Sequence, residues 1–429
     1  MTHFEYRGLQ TSYIYVENSG DTYHVAASAR FVTSSTAIVE ADGVSGNSYV
    51  IDGRIVSGSD VLNVNSPAAV IVIGETARLQ SGNTAVTVEG PDSEVANSGI
   101  IKAKNQGIAV YGDHSLARND GYIGARYGLW GSGDGVLLIN GRAGEILSDH
   151  AGFDAYADTG EQTRMVNHGL VTAATYAAVG GNSDDTLRND GTMIGDIDLL
   201  EGNDTIDLRG GAFRGQIHGG QGDDRLRTDN AGYHMTEDAG GGRDVVYSSV
   251  TYRLNANVEA LLLTGSKDIN GFGTAQANAI AGNTGDNILR GGGGSDVITG
   301  LGGNDRLFGK DGNDILVGGS GNDSLSGDAG KDRITGSAGN DTLTGGAARD
   351  TFVFAGTINR DVIMDFETSG ADHDLIDISR FGSVTSFGDL IDNHASEKHG
   401  DVILDLGRGQ TIRLADTDLS DLARADFLI

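Results

Sequence analysis

The chain has 429 residues, with 30 Lys and Arg against 60 Asp and Glu, a net charge of −30 that repels nucleic acid phosphates and anionic lipid and attracts cations. It has no cysteine, which removes disulfides and thiolate metal sites, leaves hard oxygen ligands for a metal and disfavours zinc. Its 68 glycines beside only 2 prolines and 38% hydrophobic residues speak for structural glycines rather than a disordered linker, and no stretch approaches the length of a membrane span.

Residues 1–50 alternate like strands in "SYIYVENS", "DTYHVAASARFV" and "TAIVEADG". They are expected to cap the fold or to add strands to a neighbour's end. They contain neither a basic n-region nor an apolar run of leader length, so export is expected without a cleaved amino-terminal signal.

Over residues 51–247 a beat returns: "DGRIV" at Asp52, "NSGII" at Asn97, "NDGYI" at Asn119, "NGRAGEI" at Asn140, "NHGLV" at Asn167 and "NDGTMI" at Asn189. Asn97 and Asn119, like Asn167 and Asn189, are 22 residues apart, with second beats such as "QGIAVY" and "TYAAV" between them. The pattern predicts a parallel β-helix of two or three short strands per turn, with Asn and Gly at the corners and Asn laddering between turns. An all-β sandwich would lack this regular return. Degenerate nine-residue units then enter at Gly180, Leu199, Gly219 and Ala239, 19 or 20 residues apart. Their Asp185, Asp204, Asp224 and Asp244 are candidate ligands for cations along one edge, with solvated turn acids as the alternative. Residues 248–281 carry apolar beats at Leu254, Val258, Leu261 and Leu263, which suggest short strands continuing the stack.

From Gly282 to Val353 the sequence falls into eight unbroken nonapeptides, "GNTGDNILR", "GGGGSDVIT", "GLGGNDRLF", "GKDGNDILV", "GGSGNDSLS", "GDAGKDRIT", "GSAGNDTLT" and "GGAARDTFV". Position one is always Gly, and position four is Gly except at Ala348. Position eight is always apolar, and position six reads Asn287, Asp296, Asp305, Asp314, Asp323, Asp332, Asp341 and Asp350. Glycines supply the positive φ angles of a tight turn, and the apolar residue points inward from a very short strand. Two units make one coil, so stacked coils bring position-six carboxylates together. A hard cation between layers relieves the repulsion. Calcium suits the place because it accepts carboxylate and carbonyl oxygens in irregular geometry. The candidate ligands are the position-six residues together with Gly294, Gly303, Gly312, Gly321, Gly330 and Gly339. Four loops per side leave three gaps, hence about six calcium ions, with Asn287 weakening the first site and Ala348 deforming the last turn.

These units resemble the calcium-binding nonapeptides of the RTX (repeats-in-toxin) family. The resemblance implies a parallel β-roll, export by type I secretion machinery with an uncleaved carboxy-terminal signal, and folding on meeting extracellular calcium. Residues 248–281 resemble the lead-in to such a roll. Residues 354–429, with "DVIMDF", "DLIDIS", "DVILDL", "QTIRL" and the terminal "ADFLI", resemble the RTX carboxy-terminal region, for which a plain β cap is the alternative. The first 180 residues match no recognised cargo domain. The fold expected is all-β: a parallel β-helix continuing as one rod, from about residue 50 to Val353, into a calcium-binding parallel β-roll with a β-rich carboxy-terminal cap.

Catalytic motifs are missing. No H-E-x-x-H and no G-x-S-x-G occurs, against a zinc metalloprotease and a serine lipase. A polysaccharide lyase, hydrolase or epimerase would need clustered acids and sugar-stacking aromatics, for which the candidates are Asp113 with His114, Asp149 with His150, Arg126, Tyr127 and Trp130. Adjacent Asp-His pairs in turns are more often solvent-facing loop residues, and neighbours on a strand point to opposite faces. The apolar runs at Val136 and Leu261 are only strand-length, against a membrane-inserting pore, and no Thr rows suggest an ice-binding face. The expectation is a non-enzymatic, extracellular or cell-surface scaffold or adhesin whose folding and self-assembly depend on calcium. Its expected partners are further copies of itself and a cell-surface polysaccharide, with neither nucleic acid nor membrane. A polysaccharide-active β-helix on an RTX tail is the runner-up.

Overall fold

The computed structural model describes residues 2–41, 43–156, 162–356, 358–370 and 373–429. The chain divides into two compact units, Met1–Arg227 with Met235–Gly242, and Thr228–His234 with Arg243–Ile429. Both are built from stacked parallel strands, the all-β solenoid that the periodicity predicts.

In the first unit the ladders start at His3–Tyr6, which pairs with Thr22–Val25, itself paired with Ser48–Ile51. No boundary falls at residue 50, because residues 3–40 coil in the same ladders as those that follow. Alternation along each strand decides which side chains enter the core: Val70–Ile73 alternates exposed and buried, and a one-residue slip would turn every apolar side chain outward. Coil by coil, Ile55, Leu79, Ile101, Ile123, Ile146, Val171, Met193 and Phe213 are register partners. All are buried, and each contributes about 1.5–3 kcal/mol by leaving water.

The Asn-x-Gly beats form a second, polar column. The Nδ2 of Asn97 donates to Oδ1 of Asn119 at 2.7 Å, Asn119 to Asn140 at 2.9 Å, Asn140 to Asn167 at 2.9 Å, and Asn167 to Asn189 at 2.7 Å. The Oδ1 atoms of Asn97, Asn119 and Asn167 also accept the backbone N–H of the Gly two residues on, the local turn that Asn favours.

In the second unit the nonapeptides give two ladders with partners 18 residues apart, for example Ile315–Ser320 on Arg333–Ala338 and Arg306–Asp311 on Ser324–Ala329. Two units therefore make one coil. The strands are six residues long and run from position seven to position three of the next unit, longer than the very short strand expected, because pairing resumes beyond the position-one Gly. One apolar residue per strand enters the core: Leu289, Leu307, Leu325 and Leu343 on one side, Ile298, Leu316, Ile334 and Phe352 on the other. Beyond Val353 the stack is closed by antiparallel pairing. Arg360–Ile363 lies parallel to Gln410–Leu414, which pairs antiparallel with Asp401–Gly407, and that strand with Ala395–Lys398.

Candidate calcium centres

Each turn in the roll spans positions four to six, and two side chains tie it to its neighbours. The position-six Oδ1 accepts the backbone N–H of the position-six residue one coil earlier: Asp305 from Asn287 at 2.7 Å, Asp314 from Asp296 at 2.8 Å, Asp323 from Asp305 at 2.8 Å, Asp332 from Asp314 at 2.7 Å, Asp341 from Asp323 at 2.9 Å and Asp350 from Asp332 at 2.8 Å. Position five reaches the other way: Oδ1 of Asn304 accepts from the N–H of Asn322, and Asn322 from Asn340. Sequence reasoning missed this outer ladder, although the recurrent "GND" was its signal.

The other carboxylate oxygen is the functional feature. Oδ2 of Asp296, Asp305, Asp314, Asp323, Asp332, Asp341 and Asp350 is buried with no hydrogen-bond partner, at residues no more than 2% exposed. Position one is Gly because this oxygen lies against it. A Cβ on Gly300 would come 2.3 Å from Asp305 Oδ2 and 2.4 Å from the carbonyl oxygen of Gly318, and one on Gly318 would lie 2.4 Å from Asp323 Oδ2 and 2.7 Å from Gly336 O. Position four is Gly for two reasons. Its φ is positive, +129° at Gly321, and a Cβ there would lie 1.8 Å from the carbonyl oxygen of Gly303 in the preceding coil. Gly294, Gly303, Gly312, Gly321, Gly330 and Gly339 all share the positive φ, so the position-four carbonyls stack along the turns. At Gly300 and Gly318 the free carboxylate oxygen and a position-one carbonyl oxygen of the next coil face one point, and such oxygens are donors for a hard divalent cation.

Burial dominates the electrostatics. It pushes the carboxyls of Asp296, Asp323 and Asp350 up to about 7 and those of Asp305 and Asp332 up to about 6, with neighbouring aspartates adding to the shift at all five. Asp314 and Asp341 move the same way. Without a cation these groups lean toward the protonated form, and an ion supplies the charge that keeps them ionised.

The first position-six residue differs. Asn287 Oδ1 accepts the N–H of Asn283, and its Nδ2 donates to Ile269 O and Asn283 Oδ1, so the amide is satisfied by protein alone. At the other end the ladder outruns the repeats: Asp341 N–H donates to Asp361 Oδ1 and Asp350 N–H to Asp374 Oδ1. The free Oδ2 of Asp361 is buried, and burial raises Asp361 to about 7 and Asp374 to about 6. "DVI" at Asp361 and "DLI" at Asp374 repeat positions six to eight, but both lie outside the nine-residue frame.

The degenerate units repeat the arrangement in part. In the first unit Asp185 N–H donates to Asp204 Oδ1 and Asp204 N–H to Asp224 Oδ1. Both oxygens of Asp185 accept backbone N–H groups, from Thr163 and Gly181, whereas Oδ2 of Asp204 is buried without a hydrogen bond and burial pushes that carboxyl up to about 9. Asp244, in the second unit, is buried and donates its backbone N–H to Glu259.

The candidate catalytic residues are only partly brought together. Tyr127 stands edge-on to Trp130 at 5.5 Å and to His150 at 5.2 Å, His150 lies 5.6 Å from Tyr176, Trp130 stacks on Tyr156 at 6.0 Å, and Arg126 lies over Tyr127. Asp113 and His114 sit in another turn, where Asp113 accepts the N–H of Asp134. Asp149 is exposed. Sequence reasoning missed Asp154, buried in the strand Glu145–Ala155, where burial pushes its carboxyl up to about 7.

Residues 272–307, 281–316, 299–334 and 326–356 match the model of the RTX calcium-binding nonapeptide repeat. No curated protein matches the chain. Among solved structures, the AlgE6R3 subunit of the Azotobacter vinelandii mannuronan C5-epimerase is similar at 29% identity and a TM-score of 0.24, over 34% of this chain and 78% of that one. The extracellular lipase LipA of Serratia marcescens is similar at 16% identity and a TM-score of 0.18, over 63% of this chain and 40% of the lipase. Among the described residues no helix is long and apolar enough to cross a membrane. Residues 272–356 are thus RTX calcium-binding nonapeptide repeats, and the amino-terminal half stands outside that family model.

Proposed function

We propose that this is a secreted β-solenoid whose roll folds on binding calcium outside the cell, and that it works as a non-enzymatic surface or matrix scaffold. The observation that carries the reading is the row of buried position-six oxygens without partners. Asp296 to Asp350, with carbonyls of the turn glycines, would hold the ions, and calcium would supply the positive charge that lets stacked carboxylates stay ionised. Extracellular calcium sites are typically weak, with dissociation constants around 10⁻⁴–10⁻³ M, so cytosolic calcium leaves them empty and millimolar calcium fills them. Association with further copies is supported by the strands His3–Tyr6, Leu9–Gln10 and Ile14–Val16, which among the described residues have ladder partners on one side only, an edge suited to strand addition. Circular dichroism with light scattering, in chelator and then in millimolar calcium, tests both steps. An expanded monomer that folds and assembles is the expected result. A fold unchanged by calcium sinks the first claim, and a compact calcium-bound monomer sinks the second alone.

A polysaccharide-active enzyme is the second reading, favoured by the aromatic column Tyr127, His150 and Tyr176 beside Trp130, Tyr156 and the buried acid Asp154. Release of new chain ends from polyuronates, lost in Asp154→Asn, would establish it. No turnover across a panel of acidic and neutral polysaccharides would retire it.

A further inference from the structure

The first unit carries a second ladder of like charge, of the opposite sign. Arg30, Arg54 and Arg78 are register partners on three consecutive coils, all exposed. Beside them run Val32, Val56, Gln80 and Lys102, also in register. Neighbouring parallel strands lie about 4.8 Å apart, so three guanidinium groups are held side by side, where like charges repel. Among the described residues none of these cations forms an ion pair with a carboxylate. The fork of Arg78 instead donates to the carbonyl oxygens of Glu75 and Ala77. In a chain of net charge −30, four cations converge on one face without an acid among them. Between them lies a groove of about 280 Å³ lined by Arg54, Arg78, Leu79, Gln80, Ile100 and Lys102.

We infer that this face binds a linear acidic polysaccharide along the stacking direction, with carboxylates of successive sugars on the arginine ladder. The guanidinium fork matches a carboxylate through two parallel hydrogen bonds. Gln80 offers a donor and an acceptor for hydroxyl groups, and the half-buried Ile100, with the aliphatic stems of the arginines, offers apolar surface for the C–H face of a sugar ring. A single-stranded nucleic acid fits less well. No aromatic residue lines the groove to stack a base, and stacking is what sequence-tolerant single-strand binding uses. The site is built from residues 30–102, none of them in a calcium turn, and does not rest on the assignment of those turns.

The test uses the full chain in millimolar calcium, with a fluorescently labelled galacturonic acid hexamer as the probe and anisotropy as the readout. Saturable binding that weakens with added salt is expected. Arg54→Gln should weaken it about tenfold and the Arg54→Gln/Arg78→Gln pair about fiftyfold or more, as for lost charge-assisted hydrogen bonds. Arg188→Gln, on an exposed position of a different ladder, should stay within about twofold of the wild type. Four results overturn the inference: no binding by folded wild type; unchanged binding by both ladder variants, which would mean calcium bridges the probe to the acidic turns; an equal loss in Arg188→Gln, which would mean diffuse charge attraction; or equally tight, ladder-dependent binding of a single-stranded DNA hexamer, which would make this a phosphate site.

Discussion

Asn97 to Asn189 in one unit and Asp296 to Asp350 in the other solve the same problem with one atom changed. The asparagines form one buried column and the aspartates two, each with one short polar side chain per coil. In the asparagine column each Nδ2 donates to the next Oδ1, so the stack is neutral and closes on itself. In each aspartate column Oδ1 takes a backbone N–H from the neighbouring coil, but Oδ2 has nothing to accept from. A carboxylate cannot donate, so its column needs something positive from outside the chain. The asparagine column is self-sufficient, and the aspartate columns are left to a cation or a proton.

Removing calcium should break the symmetry most strongly. In chelator, amide exchange should become fast across the strands of 288–353 and stay slow across those of 97–189. Uniform protection in both would mean that the aspartate columns need no ion. Acidification comes next. Burial holds Asp296, Asp323, Asp350 and Asp361 up to about 7 and Asp305, Asp332 and Asp374 up to about 6, above the roughly 3.9 of an unfolded aspartate. A raised acid binds its proton more tightly when folded. The stability it contributes is fully present below the unfolded value and is lost as pH rises through 6–7. The Tm of the calcium-free roll should therefore climb as pH falls from about 8 to about 5, while calcium affinity drops because binding must release protons. Calorimetry at several pH values checks both signs.

A single change should sharpen the contrast. Asp323→Asn gives the roll one link of the other column. In calcium it should cost about 2.7 kcal/mol, one site's worth at hundredfold excess, and in chelator it should be neutral or stabilising. Equal losses in both conditions, by thermal melts, would show that Asp323 serves packing alone. The smallest effect belongs to Asn140→Ala, which removes one acceptor from Nδ2 of Asn119 and one donor from Oδ1 of Asn167. About 1–3 kcal/mol should be lost, independent of calcium. A calcium-dependent loss would contradict the self-sufficient column.

The repeating parts of the architecture were legible because a solenoid writes its period into the sequence. The return of Asn-x-Gly marked both coil and ladder, and the nine-residue frame placed Asp296 to Asp350 at one height per coil. Three things were not legible. Residues 3–40 carry one Asn-x-Gly, at Asn18, but it runs into Asp21 and Thr22 rather than the apolar residue of the later beats, so their membership of the same ladders shows only in the pairing. Asp361 and Asp374 follow loops of irregular length, which hid their place on the aspartate columns. Asp154 lies in the run "AGFDAY", where nothing nearby in sequence announces a buried acid.

By itself the sequence determined the periods, the inward residues and the identity of the stacked groups, because these depend only on alternation and on spacing along one chain. Only the tertiary structure decided which carboxylate oxygen is satisfied and which is left over, that Asn287 needs no ion, and that Arg30, Arg54 and Arg78 form one row. Those facts depend on contacts between residues 18 to 24 positions apart, and hydrogen bonds and like-charge repulsion act through distances that only the stacked coils set.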